Sequence, residues 1–320
     1  MNEDDTMNTI LRHDAALTER WPDGYEKLAE VPGIAMPMHM ALDSYAAVVK
    51  HGSTTVFSKA FHTGALAPYT FAGAAEAAER AGKIGIGPKL VLTDVTNQVL
   101  VFDFLGDDWR MAMVSDLQTG PFREAVVAAK RSWHKQPALQ TTISPIAVAE
   151  FLAARLEPKL DQGTLVFKGG LSFATMQAVV EKIGQALAAT GADLCPVHGE
   201  NTASNVMINP NGSVRLLDFD RAVMADPWWD IGALSLELCR TEQERMELVE
   251  IYAGQSNSKL LARMKLYTLI DDFIWACWAL LADDGPETSG PELYKYANNR
   301  LIRFGYHHEV FDIPSLLGEI

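Results

Sequence analysis

Alternating apolar and polar positions predict a β-hairpin in the first part of the chain. The stretch YAAVVKHGSTTVFSKAF (45–61) contains two runs rich in β-branched and aromatic residues, and the glycine between them marks a turn. Two further runs, PKLVLTD (88–94) and QVLVFDFL (98–105), predict a second pair of strands. An alanine-rich stretch at 70–85 predicts a helix between the pairs. Residues 1–105 are therefore predicted to form a small β-rich lobe with one inserted helix.

Beyond residue 105 the pattern changes to helical spacing. Three helices are predicted at 122–135, 144–157 and 172–191, and the second and third each begin at a serine that can cap the helix. A short strand pair at 205–219 follows, with its turn at the letters NPNG. The rest of the chain is mainly helical in pattern. Residues 106–320 are therefore predicted to form a larger helical lobe.

Together these patterns predict an α+β fold of two lobes with a hinge near Phe104–Gly106, a shape that can close on a nucleotide. With 320 residues, 48% of them hydrophobic, the chain is long enough for a packed core. The net charge of −14 disfavours nucleic acid and anionic membranes as partners. The three scattered cysteines fit a reducing compartment. The apolar stretch at 273–282 is too short to span a bilayer, so we expect a cytoplasmic protein with a small-molecule partner.

Several residues occur in the order that phosphoryl transfer requires. The reaction needs a cation on the phosphates, oxygen ligands for a metal, and a carboxylate beside the attacking hydroxyl. Lys59 lies in an apolar strand, and Glu76 on the next helix is the better of two candidates to pair with it, the other being Glu79. Asn205 and Asp218 stand at opposite ends of the predicted strand pair, which brings two oxygen ligands suited to Mg²⁺ toward one point.

A third acid lies next to this pair, and a fourth follows on the next predicted helix. Asp220 is two residues past Asp218, where it can join the metal site or contact a substrate. Asp230, in the stretch DPWWDIGAL, can cap that helix or hold the polar loop HGENTASN (198–205). We favour a structural role for Asp230, with His198 as its partner.

These segments resemble the aminoglycoside phosphotransferase and choline/ethanolamine kinase superfamily, whose fold is protein-kinase-like. The stretches HGENTASN, LLDFDRA and DPWWDIGALSLEL are similar to its catalytic and metal-binding segments, and the resemblance extends over nearly the whole chain. It implies ATP and Mg²⁺ as cofactors. In the second lobe it implies that His198 supports the catalytic loop, that Glu200 stands where the catalytic aspartate belongs, and that Asn205 and Asp218 bind Mg²⁺. In the first lobe it implies that Lys59 and Glu76 form the nucleotide-binding ion pair. Asp103 and Phe104 would lie in the hinge at the adenine.

Two later stretches resemble choline kinases in particular. DDFIWACWALL (271–281) is similar to their tryptophan-containing helix, and LYKYANNRLIRFGY (293–306) to their final helix. Trp275 and Trp278 are three residues apart, so they share a helical face, and aromatic faces attract quaternary ammonium groups. With Asp271 nearby, the prediction is a small hydroxylated amine such as choline or ethanolamine as the phosphate acceptor. Core packing is the alternative reading of the two tryptophans.

The sequence departs from the family pattern in two places that concern the chemistry. Glu200 replaces an aspartate, and its extra methylene moves the carboxylate by roughly 1 Å, a displacement that can cost about a hundredfold in rate. The expected nucleotide-covering turn (36–48) contains no glycine, so Ser44 is expected to donate a hydrogen bond there instead. Two alternatives to an aminoalcohol kinase therefore stay open. One is a nucleotide-binding pseudokinase, and the other is a kinase for an aminoglycoside, a sugar or another metabolite.

Overall fold

The computed structural model describes residues 3–35, 39–65, 67–118, 120–163, 170–283 and 292–320. The helices run as follows: α1 Glu3–Arg20, α2 Phe71–Lys83, α3 Val114–Gln118, α4 Pro121–His134, α5 Pro145–Asp161, α6 Phe173–Thr190, α7 Pro227–Leu238, α8 Glu242–Ala253, α9 Ser258–Ala282, α10 Leu293–Val310 and α11 Ile313–Glu319. The strands are β1 Glu26–Glu30, β2 Ser44–His51, β3 Thr54–Phe61, β4 Leu90–Asp94, β5 Val99–Asp103, β6 Arg110–Met111, β7 Cys195–Val197, β8 Val206–Ile208, β9 Val214–Leu216 and β10 Val223–Ala225.

The first lobe is built on an antiparallel sheet of five strands in the order β1-β2-β3-β5-β4. The predicted hairpin is its centre: β2 pairs with β3 from Ser44 opposite Phe61 to His51 opposite Thr54, around the turn at Gly52. At this turn Gly52 has a φ of +58°, a conformation that glycine adopts without a steric penalty. The second predicted pair forms β4 and β5, and β5 lies beside β3 with Lys59 opposite Leu100.

The two faces of this sheet have different neighbours, because side chains alternate along a strand. On one face, Val56, Ala60, Val99 and Val101 pack against Ala16 and Leu17 of α1 in a small separate core. On the other face, Phe61 and Leu100 join the main core with the alanines of α2. Lys59 shares the face of Phe61, which directs its side chain toward the second lobe.

The N-terminal helix α1 corrects the sequence prediction, which placed only one helix in residues 1–105. The residues Glu3–Arg20 form a second helix, and β1 adds an edge strand after it. Thr9 and His13 on α1 are fully buried, and His13 lies within 2.7 Å of the Ser58 hydroxyl on β3. The mixture of polar and apolar residues on the buried side of α1 explains why the sequence pattern missed it.

The second lobe is organised around α9. Every residue from Leu261 to Leu280 is buried, as expected for a helix surrounded by other helices, and α9 packs against α5, α7 and α10. Its buried charges have partners on neighbouring elements: Arg263 donates to Asp226 at 2.6 Å, and Lys265 donates to Glu242 at 2.7 Å. Among the described residues, no helix is long and apolar enough to cross a membrane.

The structure makes a testable prediction about the contact between α7 and α9. A Cβ added at Gly232 of α7 would lie 2.7 Å from the Met264 carbonyl oxygen and 2.9 Å from the Tyr267 Cβ, both on α9. We expect Gly232→Ala to lower the free energy of unfolding by about 1–3 kcal/mol in urea titrations, as overpacking does.

Gly305→Ala is the matched control. Gly305 also lies in a helix, and a Cβ there would meet nothing within 4 Å, so this substitution should raise the free energy of unfolding by about 0.5–1 kcal/mol. Equal stabilities of the two variants would contradict the close packing of α7 on α9.

Candidate active site

The loop at 198–205 is held in place by one buried carboxylate. Asp230, in the first turn of α7, is fully buried and accepts hydrogen bonds from His198 N at 2.7 Å and Gly199 N at 2.9 Å. The side-chain amide of Asn201 donates to it at 3.0 Å. At Gly199 (φ +78°) a Cβ would lie 2.6 Å from the Arg221 carbonyl oxygen, so only glycine fits. The structural role predicted for Asp230 agrees with this geometry.

Two side chains of α4, Lys130 and His134, complete this cluster. Lys130 Nζ lies 3.5 Å and His134 Nε2 3.0 Å from the Asp230 carboxylate. Burial by itself would raise the pKa of Asp230, but Lys130 and the surrounding hydrogen bonds hold it well below its usual range. Burial lowers the pKa of Lys130 to about 8. Asp230 is therefore an ionised carboxylate with its charge compensated inside the lobe.

His198 connects the loop to the strand pair in its neutral form. Its Nδ1 lies 2.8 Å from Lys130 Nζ, and its Nε2 lies 2.8 Å from the Leu217 carbonyl oxygen. Because the ammonium group has only donors and the carbonyl only acceptors, Nδ1 accepts and Nε2–H donates. Burial, together with Lys130, lowers the pKa of His198 to about 3. His198 thus links the loop at 198–205 to the strand pair as a neutral ring.

Glu200 is 3% exposed, and its carboxylate is surrounded by three nitrogen-bearing side chains. Arg221 Nε forms an ion pair with Oε1 at 2.8 Å, His39 Nε2 is hydrogen-bonded to Oε2 at 3.1 Å, and Asn205 Nδ2 donates to Oε2 at 3.4 Å. Burial raises the pKa of Glu200 to about 8. The positive charge of Arg221 lowers this pKa, and the negative charge of Asp218 raises it. A carboxylate with such a pKa accepts a proton readily near neutral pH, which is what a base beside an attacking hydroxyl must do.

His39 is the contact through which the first lobe reaches Glu200. Its Nδ1 lies 3.0 Å from the Tyr296 hydroxyl, which accepts hydrogen bonds from the Arg300 guanidinium at 2.8 and 3.1 Å. Tyr296 therefore donates to Nδ1, which leaves the proton on Nε2 directed at Glu200. The His39 carbonyl oxygen also accepts from Ser204 at 3.0 Å. Burial lowers the pKa of His39 to about 3, so this ring is neutral.

The predicted metal ligand Asp218 and its neighbour Asp220 share a cation. Lys59 Nζ lies 2.6 Å from Asp218 Oδ1 and also binds Asp220 Oδ2. Burial favours the protonated form of Asp218, but Lys59 lowers its pKa well below the usual range. Burial and the adjacent Asp218 raise the pKa of Asp220 well above the usual range. Asp218 is therefore the ionised partner of Lys59.

The backbone at Asp218 is strained. Its φ of +65° lies in the left-handed region, which an L-residue other than glycine adopts at a cost of about 1–2 kcal/mol. Leu217 N donates to the Asn205 carbonyl oxygen at 2.8 Å, so the residue before Asp218 is tied to the end of the loop. Strain of this kind persists where the surroundings fix the chain, and such sites are often functional.

The donor set at this point fits a magnesium ion that completes its coordination with ligand oxygens. A positive group, the Lys59 ammonium, already lies between the two carboxylates. The Asn205 amide nitrogen is directed at Glu200, which leaves its Oδ1 as a neutral oxygen ligand. Among the described residues no three His, Cys, Asp or Glu side chains are grouped to hold a metal. A metal here would therefore need Asn205 Oδ1 in addition to Asp218 and Asp220, together with phosphate or water oxygens.

The sequence predicted an ion pair between Lys59 and Glu76, but in the structure these two residues have other partners. Glu76 accepts from Arg80 at 2.7 Å, one turn away on α2, and from Gln140 N at 3.2 Å. Glu79 pairs with Lys83 on the same helix. The reason is geometric: the face of α2 that packs on the sheet consists of alanines and Phe71, and the glutamates lie on its other faces.

The other predicted nucleotide contacts lie at the edges of the cleft. Ser44 is buried at the start of β2. The predicted covering turn (36–48) falls partly outside the described residues, since 36–38 are not described. Asp103 is the last residue of β5, and Phe104, 40% exposed, begins the connection to the second lobe, where the sequence predicted the hinge. Whether these residues contact a nucleotide stays a prediction.

The predicted acceptor residues Trp275 and Trp278 are buried and meet side chains of the protein itself. The Arg221 guanidinium carbon lies 4.7 Å from the ring centre of Trp275 and 5.6 Å from that of Trp278. The His39 ring lies 4.2 Å from that of Trp275. Asp271 accepts from Trp229 Nε1 at 3.2 Å and pairs with Arg300 at 3.5 Å. The two tryptophans thus do share a face, but Arg221 and His39 fill it.

Sequence reasoning missed three residues of this site: His39, Lys130 and Arg221. Lys130 had a detectable signal, because it occupies a core-facing position of α4, three residues after Val127 and three before Trp133. Arg221 directly follows Asp220 in the stretch LLDFDRA. His39 had no signal, because its partners Glu200 and Tyr296 are distant in the sequence.

Solved structures with the same two-lobed, protein-kinase-like fold include small-molecule kinases. A choline/ethanolamine kinase family protein from Mesorhizobium loti superposes with a TM-score of 0.70 at 21% identity, covering 92% of each chain. The choline kinase LicA from Streptococcus pneumoniae gives 0.70 at 18% identity over 93% of this chain and 99% of that one, and LicA in complex with AMP gives 0.72 at 18% identity over 97% and 99%. An aminoglycoside-3'-phosphotransferase of type VIII gives 0.58 at 20% identity over 82% and 99%.

Comparison with curated protein sequences finds no match. The family model described as "Phosphotransferase enzyme family" matches residues 98–267, which is more than half of the chain and includes Glu200, Asn205 and Asp218. Since the match spans the loop, the strand pair and the helix that holds them together, the protein belongs to the phosphotransferase enzyme family.

Proposed function

We propose that this protein transfers the γ-phosphate of ATP, with Mg²⁺, to a hydroxyl group of a small metabolite. The observation that supports this best is the convergence of Glu200, Asp218 and Lys59 in the cleft between the lobes. These are a carboxylate with a raised pKa, an ionised metal ligand and a cation, the three components that phosphoryl transfer requires. The AMP complex of LicA supports a nucleotide as the donor.

In this proposal Glu200 orients the acceptor hydroxyl and receives its proton as the bond to phosphorus forms. Oε1 faces only the Arg221 guanidinium, as an ion pair, and a carboxylate oxygen has lone pairs that can accept from the hydroxyl. Arg221 keeps part of the Glu200 population ionised, against the effect of burial. The longer side chain, relative to aspartate, is held by contacts from both lobes, so its position is well defined.

Lys59 leaves Asp218 and Asp220 when the substrates bind, and its ammonium group moves to the phosphate oxygens. When bound, Mg²⁺ supplies positive charge to the same oxygens. Asn205 Oδ1 and the two carboxylates are the protein groups that would hold it. The positive charge of the metal would compensate these acids once Lys59 has moved to the phosphate.

The acceptor's reacting group is a hydroxyl, and the proposal does not depend on an amine elsewhere in the acceptor. The amine was predicted from Trp275, Trp278 and Asp271, and all three have partners within the protein. A nucleotide-binding pseudokinase is the second candidate, favoured by the ion pair and two hydrogen bonds that already engage the Glu200 carboxylate.

Substitutions at Glu200 test the proposal directly. Purified protein is mixed with MgATP and a panel of sugars, polyols, aminoalcohols and aminoglycosides, and ADP release is measured against Asp218→Ala. We expect acceptor-dependent ADP release that Asp218→Ala abolishes and that Glu200→Gln lowers by about 10²–10⁴ in kcat, the usual contribution of a general base.

Glu200→Asp separates the two candidates in the same assay. A kinase adapted to glutamate should lose activity with the shorter side chain, because the carboxylate withdraws from the hydroxyl by roughly 1 Å. Tight ATP binding with no ADP release by the wild type or by Glu200→Asp, for any acceptor, would support the pseudokinase.

The observed ion pairs of Lys59, Glu76 and Glu79 make a separate prediction for ATP binding. Lys59→Ala should raise the KM for ATP by about 10–100-fold, as expected for the loss of charge-assisted contacts to phosphate. Glu76→Gln should leave that KM within about twofold, as should Glu79→Gln, because both glutamates pair along α2. A large increase with Glu76→Gln alone would show that the sequence-predicted Lys59–Glu76 pair forms in the nucleotide complex.

A further inference from the structure

Beside Glu200 the structure contains an aromatic pocket that already holds a cation of the chain. The pocket is formed by Tyr69, Trp275 and Trp278, whose ring centres lie 5.6, 4.7 and 5.6 Å from the Arg221 guanidinium carbon. These distances are those of cation–π contacts. A quaternary ammonium group would need the same aromatic faces.

Arg221 is fixed in this pocket by ion pairs as well as by the rings. It is 5% exposed, and it binds the carboxylates of Asp43 on the first lobe and Glu200 on the second. Displacing it would separate two buried ion pairs, whereas the incoming cation would gain only the aromatic contacts that Arg221 gives up. Removing one partner of a buried pair costs more than a cation–π contact supplies, so an ammonium group does not displace Arg221.

His39 covers the remaining face of Trp275. Its ring centre lies 4.2 Å from that of Trp275 and 5.9 Å from that of Trp278, and the residue is 6% exposed. Because the ring is hydrogen-bonded to Glu200 and Tyr296 at the same time, it is held from two sides. Both positions from which a cation could approach the tryptophans are therefore filled.

The acidic residues around this pocket have partners too. Asp271 and Asp272 pair with Arg300, and Asp272 also accepts from Arg303 Nε at 3.0 Å, so two negative charges face two positive ones. Arg221 pairs with both Asp43 and Glu200. Each of these acids and cations therefore has a partner of opposite charge within the protein, and burying a further unpaired charge beside them is costly.

From this arrangement we infer that Arg221 determines acceptor specificity: it excludes quaternary ammonium compounds and aminoalcohols from the aromatic pocket and selects an uncharged polyol or sugar as the acceptor. The inference deepens the proposed phosphotransfer and rests on it, because only a phosphotransferase has an acceptor to select.

Ligand binding tests the pocket without requiring turnover. Isothermal titration with tetramethylammonium and with choline should show no saturable binding to the wild type at millimolar concentrations. Arg221→Ala should bind tetramethylammonium at least about tenfold more tightly, the factor that one desolvated cation–π contact supplies. Trp275→Ala in the Arg221→Ala background should abolish that gain.

Arg215→Ala is the matched control, because Arg215 makes a cation–π contact of 5.2 Å with Trp109 and none with the pocket. It should bind tetramethylammonium no better than the wild type. Saturable choline binding by the wild type that Trp275→Ala weakens would overturn the inference, and so would a folded Arg221→Ala variant with no gain. If Arg221→Ala does not fold, the wild-type and Trp275→Ala titrations decide the question by themselves.

The ADP-release panel separates failure of this inference from failure of the proposed function. ADP release with a neutral sugar or polyol and none with choline or ethanolamine supports the inference. Release that depends on an aminoalcohol or on a carboxylated acceptor overturns it while leaving the phosphotransferase intact. Absence of release with every acceptor contradicts the proposed function, and the titrations then still decide what the pocket binds.

Discussion

The geometry of the site depends on the buried carboxylate of Asp230. An ionised carboxylate that is removed from water needs charged and polar partners to remain stable, and Asp230 obtains them from α4 and from the loop that it holds. Those partners are backbone and side-chain groups at His198, Gly199 and Asn201, so satisfying Asp230 also sets the conformation of the loop. Glu200 lies between two of these contacts, which gives its side chain a defined direction.

The second organising feature is the pairing of charges across the cleft. His39, Asp43 and Lys59 come from the first lobe, and each meets an ionisable or charged group of the second: Glu200, Arg221 and Asp218, respectively. The residues proposed to bind phosphate and metal thus pair with one another. This is the expected behaviour of buried charges, since an unpaired one costs more than the side-chain rearrangement that pairs it.

The same fold supports different acceptor chemistry because specificity resides in a few side chains on a shared frame. The frame here is α9, buried along its length, with α7 and α10 packed on it. It presents Trp275 and Trp278 on one face, and the side chain placed against them is that of Arg221. Membership of the family therefore does not identify the acceptor.

The sequence by itself determined the two-lobed α+β fold, the sheet hairpin, the serine caps of α5 and α6, and the family, because periodicity, capping and short motifs act over a few residues. It also identified Glu200, Asn205 and Asp218 as one group, since a loop and a hairpin bring them together within 21 positions, 198–218. It missed α1, and it paired Lys59 with Glu76, whereas in the structure Lys59 pairs with Asp218 and Asp220. Only the tertiary structure decided which side chains contact Trp275 and Glu200, because His39, Arg221 and Tyr296 come from three distant segments. The pairing of the buried charges was likewise decided by the packing of both lobes.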